Sequence, residues 1–250
     1  MKHYIFLLSI LLFWSCSNHQ EQSLNIATAA NAQFAMKEIG KAFTHETGIQ
    51  CNIIIGSSGK LTAQIKEGAP YDVFISANLK YPNEVHRSGL TVAQPKVYAL
   101  GELVLWTLKA EETPTIKDLI KNTTQHIALA NPKLAPYGQA AQEALKHFNI
   151  HSETSPKLVF GESISQVNQF IYSETADYGF TAKSVVLSPN MKNKGHWSVL
   201  PKESYSPIEQ GVVLIKRNEK PKMGSEKFYK FLFSNKAQKI LKSYGYTIPE

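Results

Sequence analysis

Cysteine is scarce in this chain: 250 residues contain two, Cys16 and Cys51, too few for a disulfide framework. Cys51 lies in the β-type run "IQCNIII", where a lone thiol reads as a small core residue more readily than as a nucleophile. Arginine is limited to Arg87 and Arg217, which leaves little to clamp a carboxylate-bearing organic solute. Of the eight histidines, only His147 and His151 fall four apart. A helix is expected to end between them, so no histidine metal site is read. Long apolar runs are missing too. The longest, Tyr4 to Trp14, is too short to cross a bilayer as a permanent helix. There is no nucleophile elbow, no internal repeat and no low-complexity segment. The charge balance, Lys+Arg 27 against Asp+Glu 20, is basic but scattered. The densest stretch, "IKRNEKPKMGSEKFYKFLFSNKAQKILK", is broken by acids and by apolar residues at helical spacing, so it reads as a solvated helical face and not as a nucleic-acid site.

What is present begins with a leader. "MKHYIFLLSILLFWS" couples a basic start at Lys2 to a short apolar run, the pattern of a signal peptide over residues 1–15. Cys16 follows, ahead of the polar spacer "SNHQEQS". The segment resembles a lipoprotein signal, with Phe13 where Leu is usual, and Cys16 is expected to be acylated. Acyl chains hold a soluble body on a membrane at about 0.8 kcal/mol per buried methylene.

From Leu24 short apolar strands alternate with amphipathic helices. "LNIATA" is read as a strand, and "NAQFAMKEIGKAFTHETG" as a helix with Ala35, Ile39, Ala42 and Phe43 inward and Gly48 as its stop. "IQCNIII", "SGKLTAQIKEG" and "YDVFISA" continue as strand, helix and strand. The pattern restarts after "LGELVLWTLK" with "HIALANP", "APYGQAAQEALKHFNI", "PKLVFG" and "SISQVNQFIYSE", and it closes with "ADYGFTA", "WSVLPK", "EQGVVLIKR" and two terminal helices. Such alternation implies right-handed crossovers and mostly parallel sheets covered on both faces. The fold class expected is α/β in two lobes: residues 24–101 with 207–250 as the first, 102–206 as the second. Hinge candidates lie near Gly101 and Gly211.

The run "GSSGKLTAQIKEGAPYDVFIS" from Gly56 joins a strand to a helix through small and hydroxyl-bearing residues. A Walker phosphate loop fails twice, at Ile54 where the first glycine belongs and at Leu61 where the hydroxyl belongs. A linker does not fit between two strongly periodic segments. The remaining reading is an anion-binding helix start, where free backbone N–H groups and neutral side chains donate. In parallel sheets ligands sit beyond the carboxyl ends of the strands, which places Asn31 and the Ser57, Ser58 pair on one rim. Taken singly, Asn31 and Ser58 read as ordinary helix caps worth about 1 kcal/mol before they read as ligands.

Five segments carry a family resemblance: "ATAANAQFAMKEIGKAFTHETG", "GSSGKLTAQIKEGAPYDVFISAN", "LANPKLAPYGQAAQEAL", "ADYGFTAKSV" and "SNKAQKILKSYGYTI". Together they resemble the periplasmic molybdate-binding proteins of ABC importers, over about Leu24 to Ile248. The resemblance implies a two-lobed type II periplasmic-binding-protein fold, with the oxyanion held in the interlobe cleft by Asn31, Ser58, Tyr137 and Ile164. Ser58 would give its hydroxyl and N–H, Asn31 its side-chain donor, and Tyr137 and Ile164 mainly N–H groups. Some members carry a ligand tyrosine near the end of the "YGF" segment where this chain has Ala182, which leaves one contact unassigned. None of the four positions is acidic, and Glu162, the nearest carboxylate, is read as a first-turn helix charge. Donors alone suit a fully deprotonated oxyanion such as molybdate, tungstate or sulfate, whereas a protonated phosphate needs an acceptor; the resemblance selects molybdate, then tungstate. It also implies an ABC permease as partner, no cofactor, no metal other than the molybdenum of the oxyanion itself, and a monomer. The alternatives are a binding protein for sulfate or an organic solute, or an enzyme on the same fold, which would need a reactive Cys51 or an acid pair in the cleft.

Overall fold

The structure is a computed structural model that describes residues 23–109, 111–217 and 221–249. The leader, the spacer to residue 22 and Cys16 lie outside the described residues. In chain order the first half runs β1 (Ser23–Ala29), α1 (Gln33–Thr47), β2 (Gln50–Gly56), α2 (Ser58–Lys66), β3 (Val73–Ser76), α3 (Lys80–Arg87) and β4 (Lys96–Gly101). Next come β5 (Leu103–Thr107), β6 (Ile127–Ala130), α4 (Pro136–His147), α5 (His151–Thr154), β7 (Leu158–Gly161), α6 (Ile164–Tyr172), β8 (Tyr178–Ala182), α7 (Lys183–Val186) and β9 (His196–Val199). The chain closes with β10 (Ile208–Leu214), α8 (Met223–Leu232) and α9 (Asn235–Ser243).

The described strands form two five-stranded sheets, ordered β2-β1-β3-β10-β4 and β7-β6-β8-β5-β9. Both are built alike. A parallel trio, each joined through a helix, meets an antiparallel pair: β10 runs against β3 and β4, and β5 runs against β8 and β9. The parallel trio follows from the crossover helices, since a parallel connection needs a dozen or more residues. Two mixed sheets flanked by helices make the two-lobed type II architecture.

Burial sorts the helices as their periodicity demands. α1 buries Ala35, Met36, Ile39 and Phe43 and ends at Gly48, whose φ of 73° is the left-handed C-cap that glycine adopts without strain. Phe43 meets Phe228 of α8 edge to face at 5.3 Å. Two apolar clusters cover the faces of the first sheet. A third fills the second lobe and reaches Ala29, Ala30 and Ala77 of the first, so the core is continuous where the lobes meet.

The chain passes between sheets at Glu102, between β4 and β5, and again between Val199 and Ile208. Gly101 therefore sits at the first crossing. Gly211 does not sit at the second: it lies inside β10, beside a register shift between Gln210 and Gly211 that marks a bulge. The elements that the sequence pattern left without assignment include α3, which buries Tyr81 and Val85 one turn apart, the paired strands β4 and β5, and the one-turn helices α5 and α7.

One close approach fixes the start of α4. A Cβ on Gly138 would collide with the carbonyl oxygen of Ala130, so only glycine lets the first turn of α4 rest on the end of β6. Replacing Gly138 with Ala is expected to cost about 3 kcal/mol, the upper end of overpacking because the obstacle is backbone. The melting temperature should fall by about 6–12 °C, as differential scanning calorimetry would show.

Candidate functional site

Four strand-to-helix junctions converge where the lobes face each other. β1 runs through a 3-10 turn at Ala30–Ala32 into α1, β2 reaches α2 through Ser57, β6 reaches α4 through residues 131–135, and β7 reaches α6 through Glu162 and Ser163. Asn31, Ser58, Tyr137 and Ile164 all line one cavity between these junctions, together with Ser57 and Ala77. The four candidates are 1–3% exposed. The cavity volume is about 10 Å³, the threshold for one water-sized guest. The lobes are closed tightly over it.

Among the described residues its walls carry no charged side chain. What they offer is backbone. The first N–H groups of a helix have no intrahelical acceptor, and those of Ser58, Tyr137 and Ile164 find no other acceptor among the described residues. The first turns of α2, α4 and α6 contain no Asp or Glu, so nothing within these helices neutralises their positive ends. Pro136 at the start of α4 wastes no donor, since that N–H would have been surplus.

Ser58 adds a side chain. Its Oγ accepts from the N–H of Ala77 at 3.1 Å, which orients the hydroxyl and leaves its proton free to donate. Ser57 is the N-cap, accepting from the N–H of Lys60 at 3.4 Å.

Asn31 is held differently from the sequence expectation. The Gln210 Nε2 donates to the carbonyls of Ala77 and Ile208, both at 3.3 Å. Carbonyls accept only, so this fixes the amide and turns its Oε1 toward Asn31. Asn31 Nδ2 donates to that oxygen at 2.7 Å and to the Tyr246 hydroxyl at 3.0 Å. Both side-chain N–H groups of Asn31 are thereby committed, and its backbone N–H is the donor left for a ligand. Its carbonyl accepts from Ser184 Oγ of the second lobe at 2.7 Å. Tyr246 Oη lies 3.1 Å from Ser184 Oγ, and burial pushes this phenol up to about 12, so it remains a neutral hydroxyl. Sequence reading missed Gln210, Tyr246 and Ser184. The usable signal was a polar residue inside an apolar strand, in "PIEQGVVL".

Tyr137 points its ring away from any donor role. Its hydroxyl is buried without a partner among the described residues, against Gly101, and burial holds its pKa well above the ordinary phenol range. Ala182 ends β8, fully buried, and is not a cavity-wall residue. Glu162 is not a first-turn charge of α6, which begins at Ile164. Instead it pairs with Lys60 of the first lobe at 2.7 Å. The lobes also meet through Gly59 N–H to the Leu134 carbonyl at 2.8 Å and through the Tyr81 hydroxyl, which donates to the Lys133 carbonyl at 2.9 Å. Cys51 lies elsewhere, half-buried on β2 with its Cβ facing Gly40 of α1.

With this geometry in view, comparison with known proteins identifies the family. The model for bacterial extracellular solute-binding proteins matches residues 24–247. The chain is 36% identical to the molybdate-binding protein of Rhodobacter capsulatus, over 88% of this chain and 86% of that one. Against the molybdate-binding protein of Azotobacter vinelandii identity is 35%, over 91% and 90%. The solved structure of the periplasmic molybdate-binding protein of Azotobacter vinelandii superposes with a TM-score of 0.85 at 33% identity, covering 91% of this chain and all of that one.

Two outcomes follow from the side-chain chemistry. Burial pushes the Cys51 thiol up to about 11, so at neutral pH almost none is thiolate. Labelling of the native protein by a thiol reagent should be slow and should quicken about tenfold per pH unit toward that value. Replacing Gln210 with Leu strands the Asn31 amide and two carbonyls in the interior. A loss of about 1–3 kcal/mol for each group left without a partner should appear in urea unfolding.

Proposed function

The chain belongs to the molybdate-binding members of the bacterial extracellular solute-binding protein family, and from that premise we propose how its cavity selects and holds its ligand. It is an exported solute-binding protein that supplies an ABC importer, and it performs no chemistry on what it carries. The ligand is molybdate, with tungstate accommodated by the same donors. It is bound by the backbone N–H groups of Asn31, Ser58, Tyr137 and Ile164 and by the Ser58 hydroxyl. No cofactor takes part, and the protein works as a monomer tethered through acylated Cys16.

The observation that carries this reading is the set of unused N–H groups at three helix starts, on residues that line one small cavity with no carboxylate among its described lining residues. Donors without acceptors favour an oxyanion that has lost all its protons, because a remaining proton would face another donor. Each hydrogen bond to a charged group contributes about 1.5–3 kcal/mol, and each helix terminus about 0.3–1 kcal/mol. Several together give a gross stabilisation on the order of 10 kcal/mol, which after ordering costs corresponds to micromolar to nanomolar affinity. The small space between the closed lobes favours a compact oxyanion over an organic solute, with the lobes parting to admit it. Closure about the two crossings brings the donors of both lobes onto one ion.

Thermal unfolding of the protein from Ser17 onward, with molybdate, tungstate, sulfate and phosphate at equal concentration, tests the reading. A ligand at 100 times its dissociation constant stabilises by about 2.7 kcal/mol, a rise of about 5–10 °C. Molybdate and tungstate should raise the melting temperature and phosphate should not. Replacing Ser58 with Ala should weaken molybdate binding by about 10- to 150-fold, the loss of one charge-assisted bond. No rise with any oxyanion would overturn the reading.

A further inference from the structure

Lys60 stands in the first turn of α2, the end of a helix where the aligned peptide dipoles disfavour a cation. Its backbone N–H is tied to the Ser57 cap, so the residue cannot leave that turn without uncapping the helix. Glu162 stands two residues before α6, with its N–H held by the Gln166 side chain at 2.7 Å. The two side chains meet across the lobes at 2.7 Å, each about half exposed at 50% and 48%. Each belongs to a junction that also supplies a cavity-lining residue with an unpaired N–H among the described residues, Ser58 in one case and Ile164 in the other. The pair therefore bridges the rim directly outside the candidate oxyanion site.

We propose that Lys60 and Glu162 form a charge latch: with the lobes apart Lys60 draws the oxyanion in, and with the lobes together its pairing with Glu162 holds the ion inside. The proposal rests on the oxyanion reading above. While the cleft is open, Lys60 adds a full charge to the positive end of α2, and a focused positive potential raises the rate at which an anion arrives. Glu162, on the other lobe, opposes that approach. Closing brings the two together. The carboxylate then meets a cation that its own helix end disfavoured, and the bound dianion is shielded from solvent by a neutral pair. Opening must break this pair, so it acts on the escape rate. An exposed pair is worth a factor of up to about five, enough to tune residence time without deciding whether the ion binds.

The test is a double-mutant cycle on Lys60→Met and Glu162→Gln in the mature chain, using molybdate itself as probe. Calorimetry gives the dissociation constant, a chase of radiolabelled molybdate with unlabelled molybdate gives the escape rate, and their ratio gives the association rate at low and high salt. Lys60→Met should slow association and flatten its salt dependence, and Glu162→Gln should not slow it. The product of the two single-variant escape rates, divided by the product of the double-variant and wild-type rates, should be about 3–5. A ratio of one, or association by Lys60→Met at the wild-type rate and salt dependence, would overturn the latch while wild-type binding leaves the oxyanion reading standing. Folded wild-type protein that binds no molybdate would overturn both. Because both side chains are half exposed, the variants are expected to unfold within about 1 °C of wild type, which separates an effect on escape from one on folding.

Discussion

A backbone N–H buried without an acceptor is costly, and the described structure leaves several such groups around one small cavity. Ser58, Tyr137 and Ile164 carry the first N–H groups of three helices, and these find no acceptor among the described residues. Much else serves to bring these ends together and keep water from crowding them. The parallel trios in both sheets aim their carboxyl ends at the same space. Gly138 lets α4 descend onto β6, and the apolar core that spans the lobes draws Ala29, Ala30 and Ala77 into contact with the second lobe. An ion that accepts these bonds satisfies the donors and favours the closed arrangement in the same step.

A layer of neutral polar groups stands behind the donors. Two backbone carbonyls orient Gln210, Gln210 and Tyr246 orient Asn31, and Ser184 reaches from the second lobe to the Asn31 carbonyl. Each bond narrows the choices of the next. The result is a stretch of backbone at Ala30–Ala32 held from both lobes, with its N–H groups presented and its side-chain amide withdrawn. Burial keeps the phenols of Tyr137 and Tyr246 neutral, so neither puts a negative charge beside the candidate site. Outside it, Lys60 and Glu162 form an ion pair across the lobes.

The relation to the molybdate-binding proteins explains why a short sequence segment was so informative. "GSSGKLTAQIKEG" encodes a strand end, an N-cap, a free N–H and a hydroxyl within a few residues, because a helix start is a local structure and its donors come from consecutive positions. Tyr137 and Ile164 were legible for a weaker reason. Their side chains say nothing about an anion, and only the resemblance to the molybdate-binding proteins named them. The role of Glu162 was misread because a carboxylate near a helix start resembles a dipole partner; its actual partner, Lys60, lies across the cleft.

By itself the sequence determined the order of strands and helices, the parallel crossovers that two α/β blocks require, and the junctions at which free donors would collect. These depend on periodicity, caps and glycines, all of which act over a few residues. Tertiary structure decided which donors remain free. The Asn31 amide is spent on Gln210, 179 residues away, and the second crossing precedes β10 instead of falling at Gly211 because the bulge there is a feature of strand pairing. Hydrogen bonds between distant segments leave no periodic trace in the chain, so the identity of the free donors becomes visible only once the two lobes are set against each other.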